Sequence, residues 1–74
     1  MNKDIETRVG NNIRSLREKA GITQEQLAAK LQVSGCDITR SAVAKIEVGQ
    51  RMLCPDEIKA LRTALSVTYD DILL

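Results

Sequence analysis

Apolar residues in the first twenty positions recur every three or four residues. They are Ile5, Val9, Ile13, Leu16 and Ala20. An α-helix completes a turn every 3.6 residues, so this spacing puts all of them on one side of a helix. The pattern predicts a first helix from about residue 3 to 20, ended by Gly21.

Gly10 lies inside this predicted helix. A glycine there costs about 1 kcal/mol relative to alanine. Two interpretations are open: another stretch of backbone approaches closely at this point, or the helix is simply weakened. We favour the weakened helix as the expectation from sequence.

Helix-start signals define the second and third helices. Thr23 is a typical N-cap, and Gln26 three residues later completes a capping box, which predicts a helix from about 24 to 31. The residues QVSGCDI form a turn. Thr39 is the next N-cap and Gly49 suits the left-handed position after a last turn, which predicts a third helix over 40–48.

Two further helices complete the chain. Pro55 suits a first helical position and opens a fourth helix that ends near Ser66. Thr68 and Asp71 form a last capping signal before a short fifth helix. No segment alternates as a strand would. We therefore expect an all-α fold of five helices, in one domain over residues 1–74.

Composition narrows the class of protein. The chain is 43% hydrophobic and 28% charged with one aromatic residue, and it contains two cysteines and no histidine. Nothing in it has the spacing of metal ligands, a nucleophile paired with a base, or a glycine-rich phosphate loop, so we expect no metal, no cofactor and no enzyme. It also lacks a long apolar run, which favours a cytoplasmic protein without a membrane span.

Charge is unevenly distributed along the chain. Residues 1–55 carry nine Lys or Arg against six Asp or Glu, and residues 56–74 carry two against four. Overall net charge is only +1, but binding follows local patches rather than totals. The chain therefore has a mildly basic body joined to a mildly acidic end.

The third helix has a polar side that is predicted to face away from the core. Val43 and Ile46 face the core at a spacing of three, which turns Arg40, Ser41 and Lys45 away from it. An arginine is disfavoured at the positive end of a helix dipole, so an external anion would help to explain Arg40. A helix of this size enters a major groove about 12 Å wide. Base contact, phosphate contact and simple solvent exposure all remain open for Arg40.

Several spaced segments together resemble the Cro/phage-repressor type of helix-turn-helix family. They are "GITQEQLAAKL", "VS" in the turn, "ITRSAVAKIEVGQR", a proline opening the next helix, and "ALSVTYDDILL". The likeness spans nearly the whole chain. It implies a lambda-repressor-like DNA-binding domain whose second and third helices form the helix-turn-helix.

The resemblance also implies roles for individual residues. Gln24 would bind a DNA phosphate, helix 40–48 would be the recognition helix, and its base-facing residues would be Arg40, Ser41 and Lys45. We also expect phosphate contacts from Thr39 and Arg51, which flank that helix, and from Arg14 on the first helix. Arg17 and Glu47 would form a structural ion pair.

One departure from the family pattern concerns the turn. The connection between Leu31 and Glu47 is longer than the common pattern. The extra residues, around Ser34 to Ile38, could lengthen the third helix at its start, add phosphate contacts, or bulge outward. Cys36 lies in this turn, and we expect an idle thiol because no cationic neighbour in the sequence would lower its pKa.

The function expected from these features is sequence-specific DNA binding by a transcriptional regulator. We expect a repressor that binds a palindromic operator as a homodimer. Its candidate dimer surface is Tyr69, Ile72, Leu73 and Leu74, although Ile72 and Leu73 could equally close the domain's own core. The alternative is a protein-interaction module, such as the antitoxin of a toxin–antitoxin pair or a helical adaptor.

Overall fold

The structure, a computed structural model, describes residues 2–74. Five α-helices and no strand occur within this range. They are α1 (Lys3–Lys19), α2 (Gln24–Val33), α3 (Arg40–Glu47), α4 (Pro55–Leu65) and α5 (Tyr69–Leu73). The predicted all-α fold of five helices is confirmed. The main difference in bounds is that α2 continues past Leu31 to Val33.

Side-chain caps begin the helices where the sequence places them. The Thr23 hydroxyl accepts from the Gln26 N–H at 3.1 Å, and the Gln26 side chain accepts from the Thr23 N–H at 2.8 Å. Thr39 caps α3 in the simpler way, by accepting from the Ala42 N–H at 3.2 Å. Each cap satisfies a helix N–H that has no partner inside the helix.

The first four helices end in reverse turns that contain a residue with positive φ. These residues are Gly21, Gly35, Gly49 and Ser66. After α3, the Gly49 N–H donates to the Ile46 carbonyl and the Gln50 N–H donates to the Lys45 carbonyl. A side chain at Gly49 would also collide with Thr7 of α1. Gly49 therefore ends α3 and lets the start of α1 pack closely against that end.

The core is aliphatic and receives side chains from all five helices. Its buried members are Val9, Ile13, Leu27, Ala28, Leu31, Ile38, Val43, Ile46, Leu53, Leu61, Leu65 and Ile72. Ile72 is 0% exposed, and Leu73 is partly buried against the same core. Including Ile72 in a dimer surface was therefore wrong, because the side chain is already buried inside its own chain.

Gly10 marks the place where α1 and α3 cross most closely. A Cβ atom at this position would overlap the carbonyl oxygen of Ile46 and press on Glu47. The expectation of a merely weakened helix was wrong, since the glycine is what allows the two backbones to approach. This contact fixes α3 against α1.

The enlarged turn is folded onto the protein. Residues 34–39 separate α2 from α3, and α3 still begins at Arg40, so the extra residues do not lengthen it at its start. Ile38 is 1% exposed and belongs to the core. The Gln32 side chain donates to the Ile38 carbonyl at 3.0 Å. The turn is thus anchored by a buried side chain, and the interpretation as an outward bulge was wrong for Ile38.

The described residues contain neither a candidate membrane span nor a candidate metal-binding cluster. None of the helices is long and apolar enough to cross a membrane. In residues 2–74, no group of three or more His, Cys, Asp or Glu side chains is arranged to hold a metal ion.

Candidate nucleic-acid interface

Helix α3 presents two chemically distinct sides. Val43 and Ile46 are buried in the core, while Arg40, Ser41 and Lys45 are exposed. This division follows from helical periodicity, because residues three apart share a side. The exposed side carries two cations and a hydroxyl, with two half-buried alanines, Ala42 and Ala44, beside them.

The polar side chains of this surface are not engaged with the rest of the protein. Within the part of the chain that the structure describes, the side chains of Arg40, Ser41 and Lys45 form no hydrogen bond or ion pair. Their donors are therefore available to an external molecule. Arg40 and Lys45, five residues apart, form an electropositive strip on an eight-residue helix.

A buried carboxylate behind this strip joins three helices. The Glu47 carboxylate at the end of α3 accepts from Arg17 Nε at 2.7 Å and from Arg17 Nη2 at 3.1 Å. It also accepts from Gln24 Nε2, on the first residue of α2, at 3.0 Å. Glu47 is 2% exposed. This two-pronged ion pair, with its added amide, sets the position of α3 relative to α1 and α2.

Arg17 extends the same network to the loop before α2. Its Nη1 group donates to the Ile22 carbonyl at 2.9 Å. The hydrogen bonds to Glu47 raise the pKa of the Arg17 guanidinium further above its usual range, against the opposing effect of burial. Arg17 is therefore a permanent cation, and three of its five N–H groups donate hydrogen bonds within the protein.

A shallow depression of about 460 Å³ separates the starts of α2 and α3. The residues around it are Arg17, Gly21, Ile22, Thr23, Gln24, Glu25 and Arg40. Gln24 and Arg40, one predicted from the resemblance as a phosphate contact and the other as a base contact, thus border the same concave surface. An anionic group placed there would meet donors from both helices.

The remaining predicted contacts lie in different surroundings. Arg14 is exposed on α1 and pairs loosely with Glu18, with 3.5 Å between Nε and Oε2. The Thr39 oxygen caps α3, and its hydroxyl hydrogen is available to donate. Neither arrangement hinders contact with a DNA backbone.

Arg51 is more constrained than the sequence indicated. Its Nη1 and Nη2 groups donate to the two carboxylate oxygens of Glu57 at 2.9 and 2.8 Å. Glu57 also accepts from the Cys54 N–H at 2.9 Å. Arg51 thereby clamps the loop after α3 to the start of α4. A phosphate contact from Arg51 would have to share the guanidinium with Glu57 or break this pair.

The Arg51–Glu57 pair was missed at the sequence level. The hydrogen bonds from Arg51, together with the Cys54 N–H, lower the pKa of the Glu57 carboxyl, and burial opposes this shift only in part. A signal was present, because Glu57 stands at the third position of a helix opened by Pro55, where a glutamate reaches back to the cap. The arginine six residues earlier has no comparable local signature.

The comparisons with known proteins agree with this geometry. A family model described as helix-turn-helix (HTH_3) matches residues 13–72. The crystal structure of the restriction-modification controller protein C.AhdI from Aeromonas hydrophila is similar to this chain. It is 31% identical, covers 95% of this chain and 94% of its own, and superposes with a TM-score of 0.82. A search of the curated proteins found no match.

The chain therefore belongs to the helix-turn-helix family, of the Cro/C1 type. It is a DNA-binding regulator rather than an enzyme.

Proposed function

We propose that this helix-turn-helix protein is a sequence-specific transcriptional repressor that inserts α3 into the major groove of its operator. The observation that carries the proposal is the two-sided character of α3. One side is built into the core, and the other offers Arg40, Ser41 and Lys45 without internal partners. A cytoplasmic location and a single DNA-binding domain over residues 1–74 are part of the proposal.

The contacts divide into those that read bases and those that hold the backbone. Arg40, at the leading end of α3, reads a guanine through its O6 and N7 atoms, which contributes about 1–3 kcal/mol of discrimination. Ser41 and Lys45 lie beside it and contact neighbouring bases. Gln24, Thr39 and Arg14 bind phosphates and set the register of α3 in the groove.

A homodimer on a palindromic operator completes the proposal. One recognition helix of eight residues contacts only a few base pairs, and two copies related by a two-fold axis double the contacted length. Tyr69, Leu73 and Leu74 on α5 and just beyond it are the candidate contact surface. Half-sites would then lie about 34 Å apart, which is one turn of DNA.

The likeness to C.AhdI supports a particular set of target genes. That protein is a restriction-modification controller. We include control of restriction-modification genes in the proposal for this chain. Mapping selected binding sites onto the genome that encodes the chain would test it, and the expected location is upstream of a restriction or modification gene.

The decisive experiment is selection of bound sites from random duplexes with the wild-type chain and two variants. We expect a two-fold symmetric consensus. Arg40→Ala should lose preference at one base pair of each half-site, with a drop of about tenfold to a hundredfold in affinity for the consensus. Lys59→Ala removes an equally exposed cation from α4 and should leave the consensus unchanged.

The same material distinguishes the rival class of function. Affinity for the selected duplex should fall steeply with salt, because each phosphate contact adds about −0.9 to the slope of log K against log salt. Absence of any selected consensus together with a flat salt dependence would contradict the proposal. That result would favour a protein-interaction module such as an antitoxin or adaptor.

A further inference from the structure

Gln24 has one occupied and one unoccupied amide hydrogen. Its Nε2 atom donates to Glu47 Oε1 at 3.0 Å. A primary amide carries two N–H donors, and no second partner for this group occurs among the described residues. The carboxylate accepts only, so the nitrogen of the amide, not its oxygen, must face Glu47.

The carboxylate that holds Gln24 is buried and accepts hydrogen bonds at both of its oxygens. Glu47 is almost fully buried, and the two hydrogen bonds from Arg17 fix both of its oxygens. A half-buried glutamine whose amide is bonded to such a group loses side-chain freedom that an exposed glutamine keeps. Gln24 is thus pre-organised before any ligand arrives.

The held amide borders the depression that Arg40 also borders. A DNA phosphate in this depression would meet the Gln24 amide nitrogen, while Arg40 beside it stays directed at the bases. Phosphate oxygens accept only, so they need donors at fixed positions. Glu47 supplies that fixed position without touching the ligand.

We propose that Glu47 is a positioning residue for DNA binding: its buried carboxylate holds the Gln24 amide so that the second N–H donates to a DNA phosphate at the start of α2. This inference rests on the proposed function, because it requires a DNA ligand. It gives the ion pair with Arg17 a role beyond holding the fold together.

A double-mutant cycle on affinity for the selected duplex tests the proposal. Gln24→Ala and Glu47→Gln should each weaken binding by about tenfold, which is the loss of one charge-assisted hydrogen bond. In the Gln24→Ala background, Glu47→Gln should cost little more, because the group that it positions is already gone. Asp56→Asn, which removes one exposed negative charge from α4, serves as the control and should leave affinity close to wild type.

Stability is measured on the same variants by urea unfolding, so that affinities are compared only between folded proteins. An equal loss from Glu47→Gln in both backgrounds would overturn the proposal, since the carboxylate would then act on the fold alone. Unchanged binding by Gln24→Ala would overturn it as well. Failure of the wild-type chain to bind any duplex would instead count against the proposed function.

A second measurement needs no variant and covers the case in which Glu47→Gln does not fold. In the free wild-type chain, ¹⁵N relaxation should show the Gln24 side-chain amide to be far more rigid than that of exposed Gln50. Addition of the selected duplex should shift the Gln24 amide signals strongly. A Gln24 amide as mobile as that of Gln50, or unmoved by DNA, would contradict the proposal.

Discussion

Individual residues in this protein separate into those that hold helices and those left for a ligand. The two cations of α3, Arg40 and Lys45, have no internal acceptor among the described residues, while Arg17 and Arg51 each face a glutamate. An arginine that is already paired contributes mainly geometry. Charge alone therefore does not select the proposed DNA contacts; the absence of an internal partner among the described residues is the more informative property.

The ion pair between Arg51 and Glu57 makes the stability of the protein dependent on pH. The pKa of Glu57 is lowered in the folded protein, chiefly by the hydrogen bonds from Arg51. Its contribution to the free energy of unfolding is therefore present above the ordinary carboxyl pKa of about 4.3 and is lost as the pH falls through the lowered folded-state value. We expect the wild-type chain to lose stability between neutral pH and pH 3 more steeply than Glu57→Gln.

Urea unfolding at a series of pH values would measure this difference. Asp56→Asn changes an exposed acid on the same turn of α4 and serves as the control, with a pH dependence close to that of the wild type. Parallel curves for the wild type and Glu57→Gln would show that the Arg51–Glu57 pair contributes nothing measurable.

Among the helices, capping residues close in sequence predicted where each helix begins, but the sequence did not predict a contact between helices that are far apart in the chain. Caps at Thr23, Thr39 and Thr68 and the proline at the start of α4 predicted where helices begin, because each acts within four residues of chain. The contact of Gly10 with α3 joins parts of the chain far apart in sequence. The spacing of apolar residues does not show which helices touch. A glycine within a helix therefore looks the same in the sequence whether it permits a close helix crossing or only weakens the helix.

The crossing of α1 and α3 leads to a prediction about Gly10. Alanine at an ordinary helix position stabilises relative to glycine by about 1 kcal/mol. Gly10→Ala should instead destabilise by about 1–3 kcal/mol, because its Cβ would overlap the Ile46 carbonyl and force the helices apart. Urea unfolding measures the change.

Ser15 offers a matched control on the same helix. It is exposed, and Ser15→Ala should raise the free energy of unfolding by a few tenths of a kcal/mol through helix propensity alone. If Gly10→Ala stabilised the protein, a Cβ atom would fit between α1 and α3, which would contradict the close crossing of these helices.

The whole molecule is small, with a radius of gyration of 10.7 Å, and its core leaves some apolar side chains outside. Tyr69 is 43% and Leu74 79% exposed, whereas Ile72 between them is buried. The sequence could not separate these residues, because five residues of helix hold too short a pattern to show which side faces inward. The candidate dimer surface is consequently narrower than the apolar run that suggested it.

The exposed apolar side chains at the end of the chain predict self-association. If Tyr69 and Leu74 meet their copies across a two-fold axis, light scattering should give a dimer for the wild type at micromolar concentration. Leu74→Asp should shift the mass towards the monomer and weaken operator binding by at least tenfold. Val33→Asp places the same charge at an exposed valine on α2 and should leave the dimer intact.

The seating of Ile38 in the core has a consequence for anyone who would give this scaffold a new sequence preference. Because Ile38, in the turn between α2 and α3, fills part of the core, the turn and α3 must be transferred together as one segment. Replacing α3 with a helix from another protein that has a shorter preceding turn would leave a cavity at the position of Ile38. Successful chimaeras should carry residues 34–47 together and vary only the three outward-facing positions.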